Sequence, residues 1–253
     1  MSMHYEKCTS LMRIPRIYYQ GALHSQLVIT LETEASNHLL RVLRLKPHAR
    51  LILFNGRGGE YEATLTGVKN KLAIVQVENY IECNVESPLI IHLAQALVRS
   101  EKMDFIIQKA VELGVNKITP LLTENCEVKL SDDRMQKKLE HWRGIIINAC
   151  EQSGRTIIPE LNSMTTFRDF ITHQKGLCCV LHNYAQKTFA DIDSKPKAVT
   201  LAVGPEGGFS EQEVEIAKQN HWQIIVLGPR ILRTETAGLA GITAVQVLFG
   251  DAK

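Results

Sequence analysis

Long apolar runs are missing from this 253-residue chain, and no stretch approaches the roughly 20 residues that a membrane-spanning helix requires. The opening residues, from Met1 to Ser10, carry no apolar core of the kind a secretory signal has. Six cysteines are present (Cys8, Cys83, Cys126, Cys150, Cys178 and Cys179), but none forms a CxxC pair. The closely spaced soft ligands of a zinc module are therefore absent, and no metal site is expected. Free thiols in a reducing cytoplasm follow from this usage. Adjacent Cys178 and Cys179 sit in an apolar run and read as small buried residues. Neither sign of charge dominates, the formal net charge being +2. No GxGxxG, Walker A, HExxH or GxSxG sequence occurs. That removes the common signatures of Rossmann binding, P-loop hydrolysis, zincin chemistry and serine hydrolysis. The glycine-rich stretch Gly56 to Gly59 lies between two strand-like runs rather than opening a helix, so it reads as a hairpin turn.

What is present is an ordinary globular composition, 45% hydrophobic and 22% charged, long enough for two small domains or one large one. The N-terminal part reads as short strands at 16–19, 27–30, 50–54, 60–66 and 71–77, with turn residues between the last three, as in a β meander. One helix, about 34–43, interrupts them, with Leu39, Leu40, Val42 and Leu43 expected on its buried side. His38, Arg41 and Arg44 recur every three residues and would share another face. Five strands and a helix suggest a small barrel. Residues 1–80 hold 10 Lys+Arg against 6 Asp+Glu, so the positive excess lies here, where a phosphate backbone could dock. A solvated helix face is the plain alternative for these three side chains.

Near Ser87-Pro88 the pattern changes. Strand 89–97 leads to a helix that Ser100 could cap, with an apolar stripe of Met103, Ile106, Ile107, Ala110 and Val111 and a stop at Gly114. A strand at 118–122, a long helix at about 132–150, and strands at 177–181, 199–203 and 224–227 follow. Strands alternating with helices predict an α/β fold with a largely parallel, doubly covered sheet. Two loops stand out. One is Gly-Pro-Glu-Gly-Gly-Phe at 204–209, running into a capping box of Ser210 and Glu213. The other is Leu-Gly-Pro-Arg-Ile-Leu-Arg-Thr-Glu-Thr-Ala at 227–237, a charged, hydroxyl-bearing loop before a small-residue helix read as starting at Ala237. Loops at the carboxyl ends of such strands are where open α/β sheets bind ligands.

These paired loops resemble those of the SPOUT methyltransferases, and more narrowly the RsmE family of 16S ribosomal RNA uridine-N3 methyltransferases. The resemblance extends through Arg-Ile-Pro-Arg-Ile-Tyr at 13–18, His-Leu-Leu-Arg-Val-Leu-Arg at 38–44, the run beginning Lys-Met-Asp-Phe at 102, and Glu-Gln-Ser-Gly-Arg at 151–155. It implies a SPOUT domain with a deep trefoil knot over 85–253, a PUA-like RNA-binding β-barrel over 12–84, and an N-terminal extension over 1–11. It also implies S-adenosylmethionine as cofactor, 16S ribosomal RNA in the small ribosomal subunit as partner, a homodimer, and a cytoplasmic location.

Adenine needs apolar side chains and approachable backbone, for which Leu181, Leu227, Leu232 and Ala237, with Gly204, Gly208 and Gly228, are the candidates. Thr234 joins them as a cofactor-binding candidate, and Glu206 or Glu235 would suit a cationic sulfonium. Uridine N3 is a poor nucleophile until its proton leaves, and the resulting charge spreads onto the neighbouring carbonyl oxygens. Arg233, with Arg230 second, is the candidate to stabilise that charge, and Glu235 the candidate to accept the proton. Arg13, Arg16, His38, Arg41 and Arg44 would grip RNA phosphates, and Gln152 and Arg155 would line the RNA side of the pocket. Core packing for the leucines, turns for the glycines and salt bridges for the arginines are the plain alternatives. Another SPOUT activity, such as ribose 2′-O-methylation, or a noncatalytic RNA-binding assembly factor, are the competing functions.

Overall fold

The computed structural model describes residues 14–127 and 132–252, so Arg13 and the 1–11 extension lie outside the described residues. The chain divides into two compact units. The first holds the described residues up to Glu86 together with Cys150–Ile158; the second holds Ser87–Ala149 and the residues from Pro159 onward.

In the first unit, strands β3 (Arg50–Phe54), β4 (Glu60–Lys69) and β5 (Leu72–Ile81) form the antiparallel meander. Strand β1 (Arg16–Tyr18) adds parallel to β3 and β2 (Val28–Thr30) antiparallel to β5, giving the order β1-β3-β4-β5-β2. Asn70 and Lys71 both have positive φ (51° and 66°), as the tight two-residue turn between β4 and β5 requires. Along β5, Ala73, Val75 and Val77 are fully buried while their neighbours are not, the period-2 signature of a half-buried strand. With Ile17, Leu39, Leu51, Leu53 and Leu65 they make the core of this unit.

The single helix expected at 34–43 is two pieces. Helix α1 (Thr33–Asn37) passes into one π-helical turn, His38–Val42, closed by the Leu43 N–H donating to the His38 carbonyl at 2.9 Å. The wider turn breaks the expected face. Leu39 is buried and Leu40 packs at the core's edge, but Val42 and Leu43 are 68% and 39% exposed. His38, Arg41 and Arg44 are all exposed, and Arg44 lies past the turn with a left-handed φ of 53°, so the three do not form one helical row.

The segment 150–158 belongs to this unit through specific bonds. Glu151 Oε1 accepts the Tyr18 N–H (2.9 Å), Gly58 N–H donates to Thr156 O (3.3 Å), and Arg57 and Ile157 form an antiparallel bridge. Burial pushes the Glu151 carboxyl above its ordinary range, against the opposing pull of that N–H and of Arg16.

The second unit is a wholly parallel sheet in the order β12-β10-β11-β6-β7-β8, with β9 also on β7. Its strands are β6 (Ile90–Ala96), β7 (Lys117–Leu122), β8 (Glu160–Leu161), β9 (Thr165–Thr166), β10 (Leu177–Leu181), β11 (Ala198–Val203) and β12 (Gln223–Ile225). The helices are α2 (Ser100–Glu112), α3 (Asp132–Ser153, whose residues from Cys150 belong to the first unit), α4 (Phe167–Ile171), α5 (Glu211–Gln219) and α6 (Thr234–Phe249). Central strands such as β11 are apolar and buried almost throughout, as a doubly covered parallel sheet demands. Burial raises the Cys179 thiol to about 12, that of a small core residue. Arg99, not Ser100, occupies the capping position of α2; Ser100 is already helical and its hydroxyl accepts from Lys138 (2.8 Å). Helix α6 starts at Thr234, three residues before the position read from the sequence. Among the described residues, no helix is long and apolar enough to cross a membrane.

Candidate active site

Strand β10 is flanked by β11 on one side and β12 on the other. The chain therefore leaves the β11 and β12 ends on opposite sides of β10, the switch point at which parallel sheets open a crevice. A shallow, open depression lies there, lined by Leu181, His182, Asn183, Ile225, Leu227, Arg230, Leu232 and Ala237. It brings together four of the apolar residues singled out for a cofactor and one of the arginines. His182 and Asn183, on the same wall, were not anticipated; no motif distinguishes them. The His182 N–H donates to Ile225 O (2.9 Å) and its Nδ1 accepts from the Tyr184 N–H (3.4 Å), which leaves Nε2 as the ring's donor in the neutral form. Burial and the charge of Lys218 both lower its pKa.

The 204–209 loop is braced rather than loose. Thr234 is buried, and its hydroxyl donates to the Gly204 carbonyl (2.6 Å) while accepting from Gln95 Nε2 (3.1 Å). Its hydroxyl is thus engaged by the loop and the sheet. Asn125 Nδ2 donates to the carbonyls of Gly207 and Gly208 (3.2 and 3.1 Å). The capping box reads as expected: Glu213 N–H donates to Ser210 Oγ, and Glu213 Oε2 accepts the Ser210 N–H. The other oxygen, Oε1, accepts the Glu124 N–H (3.0 Å), tying residues 124 and 125 to the loop. Gly208 and Gly228 have φ of 70° and 82°, where a side chain would be strained.

Arg233 is exposed at the capping position of α6, and Glu235 sits in that helix's first turn, where a carboxylate is favoured by the unpaired N–H groups. Lys102, on α2, is the residue that sequence reasoning passed over, although it opens a quoted motif. Its ammonium lies 2.9 Å from Glu206 and 3.7 Å from Glu235.

Two arginines depart from the expectation of phosphate contact. Arg16 is paired with the buried Glu60, stacks over Phe54 and donates to Arg155 O. Arg155 is 4% exposed and paired with Glu86. Both guanidiniums neutralise carboxylates inside the first unit. Gln152, by contrast, is exposed.

The RNA methyltransferase domain model matches residues 85–246, and the RNA methyltransferase PUA domain model matches residues 31–78. Ribosomal RNA small subunit methyltransferase E of Buchnera aphidicola (Schizaphis graminum strain) is 40% identical over 94% of this chain and 98% of its own length. The same-named protein of Bacillus subtilis is 32% identical over 86% and 91%. A crystal structure of that enzyme from Neisseria gonorrhoeae, bound to S-adenosylmethionine, superposes with a TM-score of 0.89 at 36% identity, covering 95% of this chain and 100% of its own. A Legionella pneumophila protein solved with the same cofactor superposes at 0.92 with 42% identity, covering 94% and 99%. The fold is therefore that of an RNA methyltransferase. The chain belongs to the ribosomal RNA small subunit methyltransferase E family.

Proposed function

We propose that this protein is a cytoplasmic, S-adenosylmethionine-dependent methyltransferase that modifies N3 of a single uridine in 16S ribosomal RNA of the small subunit. The observation that carries the reading is the convergence of Leu181, Leu227, Leu232 and Ala237 with Arg230 at the carboxyl end of β10, next in sequence to Arg233 and Glu235. The residues present fit the cofactor. The walls are mainly apolar, as an adenine requires, and Gly228 leaves the loop backbone approachable. When bound, S-adenosylmethionine would supply an electrophilic methyl group on a cationic sulfonium, whose sulfur would keep the electron pair of the broken S–CH3 bond as a neutral thioether.

The rest of the chemistry falls to this chain. Replacing N3–H by N3–C releases one proton, and negative charge develops on the uracil oxygens as it leaves. Arg233 stabilises that charge, with Arg230 behind it, and Glu235 accepts the proton. Leu181, Leu227, Leu232, Ala237, Gly204, Gly208 and Gly228 hold the cofactor. Thr234 acts on it by bracing Gly204, and Glu206 contributes negative charge. His38, Arg41, Arg44 and Gln152, together with Arg13, meet the RNA.

The finer architecture is proposed alongside: a trefoil-knotted SPOUT domain over 85–253 apart from the 150–158 segment, a PUA-like barrel over 12–84, and a homodimer packed through α6, whose Val247 and Leu248 are exposed. Calorimetric titration tests the reading. S-adenosylmethionine should bind the wild type and fail to bind Ala237→Trp, which fills the depression. Equal binding by both would remove the assigned site, and no binding by the wild type would favour a noncatalytic RNA-binding protein.

A further inference from the structure

We propose that Lys102 is a positioning residue of this reaction, clamping Glu206 of the 204–209 loop and Glu235 of α6 so that both carboxylates act as one balanced unit beside Arg233. The inference rests on the function proposed above. Three elements meet at this ammonium: Lys102 is in α2, Glu206 follows β11, and Glu235 opens α6. The Glu206 contact is a hydrogen-bonded ion pair at 2.9 Å, whereas Glu235 lies at 3.7 Å, close enough for charge but too far for a hydrogen bond. Glu235 Oε2 is buried and has no hydrogen-bond partner. Its position is therefore held by the Lys102 charge, and its acceptor capacity is left open.

The electrostatics agree with the geometry. The hydrogen bond that Lys102 donates to Glu206 raises the Lys102 pKa, so the lysine is cationic throughout the working range. Burial pushes the Glu206 carboxyl up, but the Lys102 bond, its own backbone N–H and the charges of Lys102 and Arg99 outweigh it, and the group ends below its ordinary value. Lys102, Arg233, Glu206 and Glu235 sum to zero formal charge. Without the lysine, the two carboxylates are left with Arg233 and with Arg99, which is itself 3.8 Å from Glu127. Glu235 would then be drawn toward Arg233, the cation assigned to the uracil oxygens.

The test is single-turnover methylation of small subunits lacking the modification, with cofactor affinity measured separately by calorimetry. Lys102→Met should lower the methylation rate at least tenfold and change cofactor affinity less than threefold. Lys102→Arg should retain most of the rate. Lys102→Met combined with Glu206→Gln, which removes one uncompensated carboxylate, should recover part of what Lys102→Met loses. A wild-type rate in Lys102→Met, or a double variant no faster than the single one, would overturn the inference. An inactive wild type with intact subunits would instead overturn the function on which it rests.

Discussion

Arg155 and Glu86 form the most deeply buried ion pair of the first unit. Removing one partner of such a pair leaves an uncompensated charge and costs about 3–5 kcal/mol. Arg155→Ala should therefore lower the urea midpoint strongly, while Arg155→Met with Glu86→Leu should restore much of it. An Arg155→Ala midpoint near wild type would mean that the pair is solvated. His92 gives a second prediction at this scale. Burial first, then the charge of Lys117, lowers its pKa to about 4 from an ordinary 6.5. The folded state resists the proton that the unfolded state accepts, so stability is fully present above pH 6.5 and declines as pH falls toward 4. The loss approaches about 3 kcal/mol at the acid end. His92→Gln should flatten that part of the unfolding profile, and an unchanged profile would refute the assignment. Residue roles of this kind were poorly legible in the sequence. The partners of Arg16 and Arg155 lie 44 and 69 positions away, so a guanidinium read as facing RNA could not be told from one neutralising a carboxylate. Lys102 was hidden for the same reason, its Glu206 partner being 104 positions distant.

Elements were far more legible, because their signals are local. The period-2 burial of β5, the apolar β11 and the Ser210–Glu213 box appear where pattern and capping chemistry place them. The failures are local too. The π turn at His38–Val42 shifts side chains off the α-helical register, which no hydrophobic periodicity announces. Thr234 and Glu235 read as loop because their polar side chains suit a turn as well as a first helical turn. Gly228 marks the loop whose shape matters most. With φ of 82° and only the Arg230 guanidinium in ordinary contact with a would-be Cβ (3.9 Å), Gly228→Ala meets backbone strain rather than collision. A left-handed non-glycine residue costs roughly 1–2 kcal/mol. The variant should fold with a slightly lower melting temperature and bind S-adenosylmethionine at least fivefold more weakly by calorimetry. Unaltered affinity would show that this turn does not shape the site.

At the scale of the whole molecule, composition was nearly silent and distribution was informative. A net charge of +2 says little, but the excess of Lys+Arg in residues 1–80 coincides with the unit that presents His38, Arg41 and Arg44. The boundary near residue 86 was readable from the change of pattern. The return of Cys150–Ile158 to the first unit was not, because its bonds to Tyr18 and Gly58 join distant parts of the chain. If this unit meets phosphate, affinity for small subunits should fall steeply between about 50 and 200 mM salt. Replacing Arg41 and Arg44 with Gln should reduce that salt slope, and a salt-independent affinity would remove the docking surface. The central claim is the atom that receives the methyl group. Small subunits from a strain lacking the modification, incubated with the protein and labelled S-adenosylmethionine, should yield N3-methyluridine at one position on nucleoside mass spectrometry. Label on a ribose 2′-oxygen, or none despite bound cofactor, would contradict it.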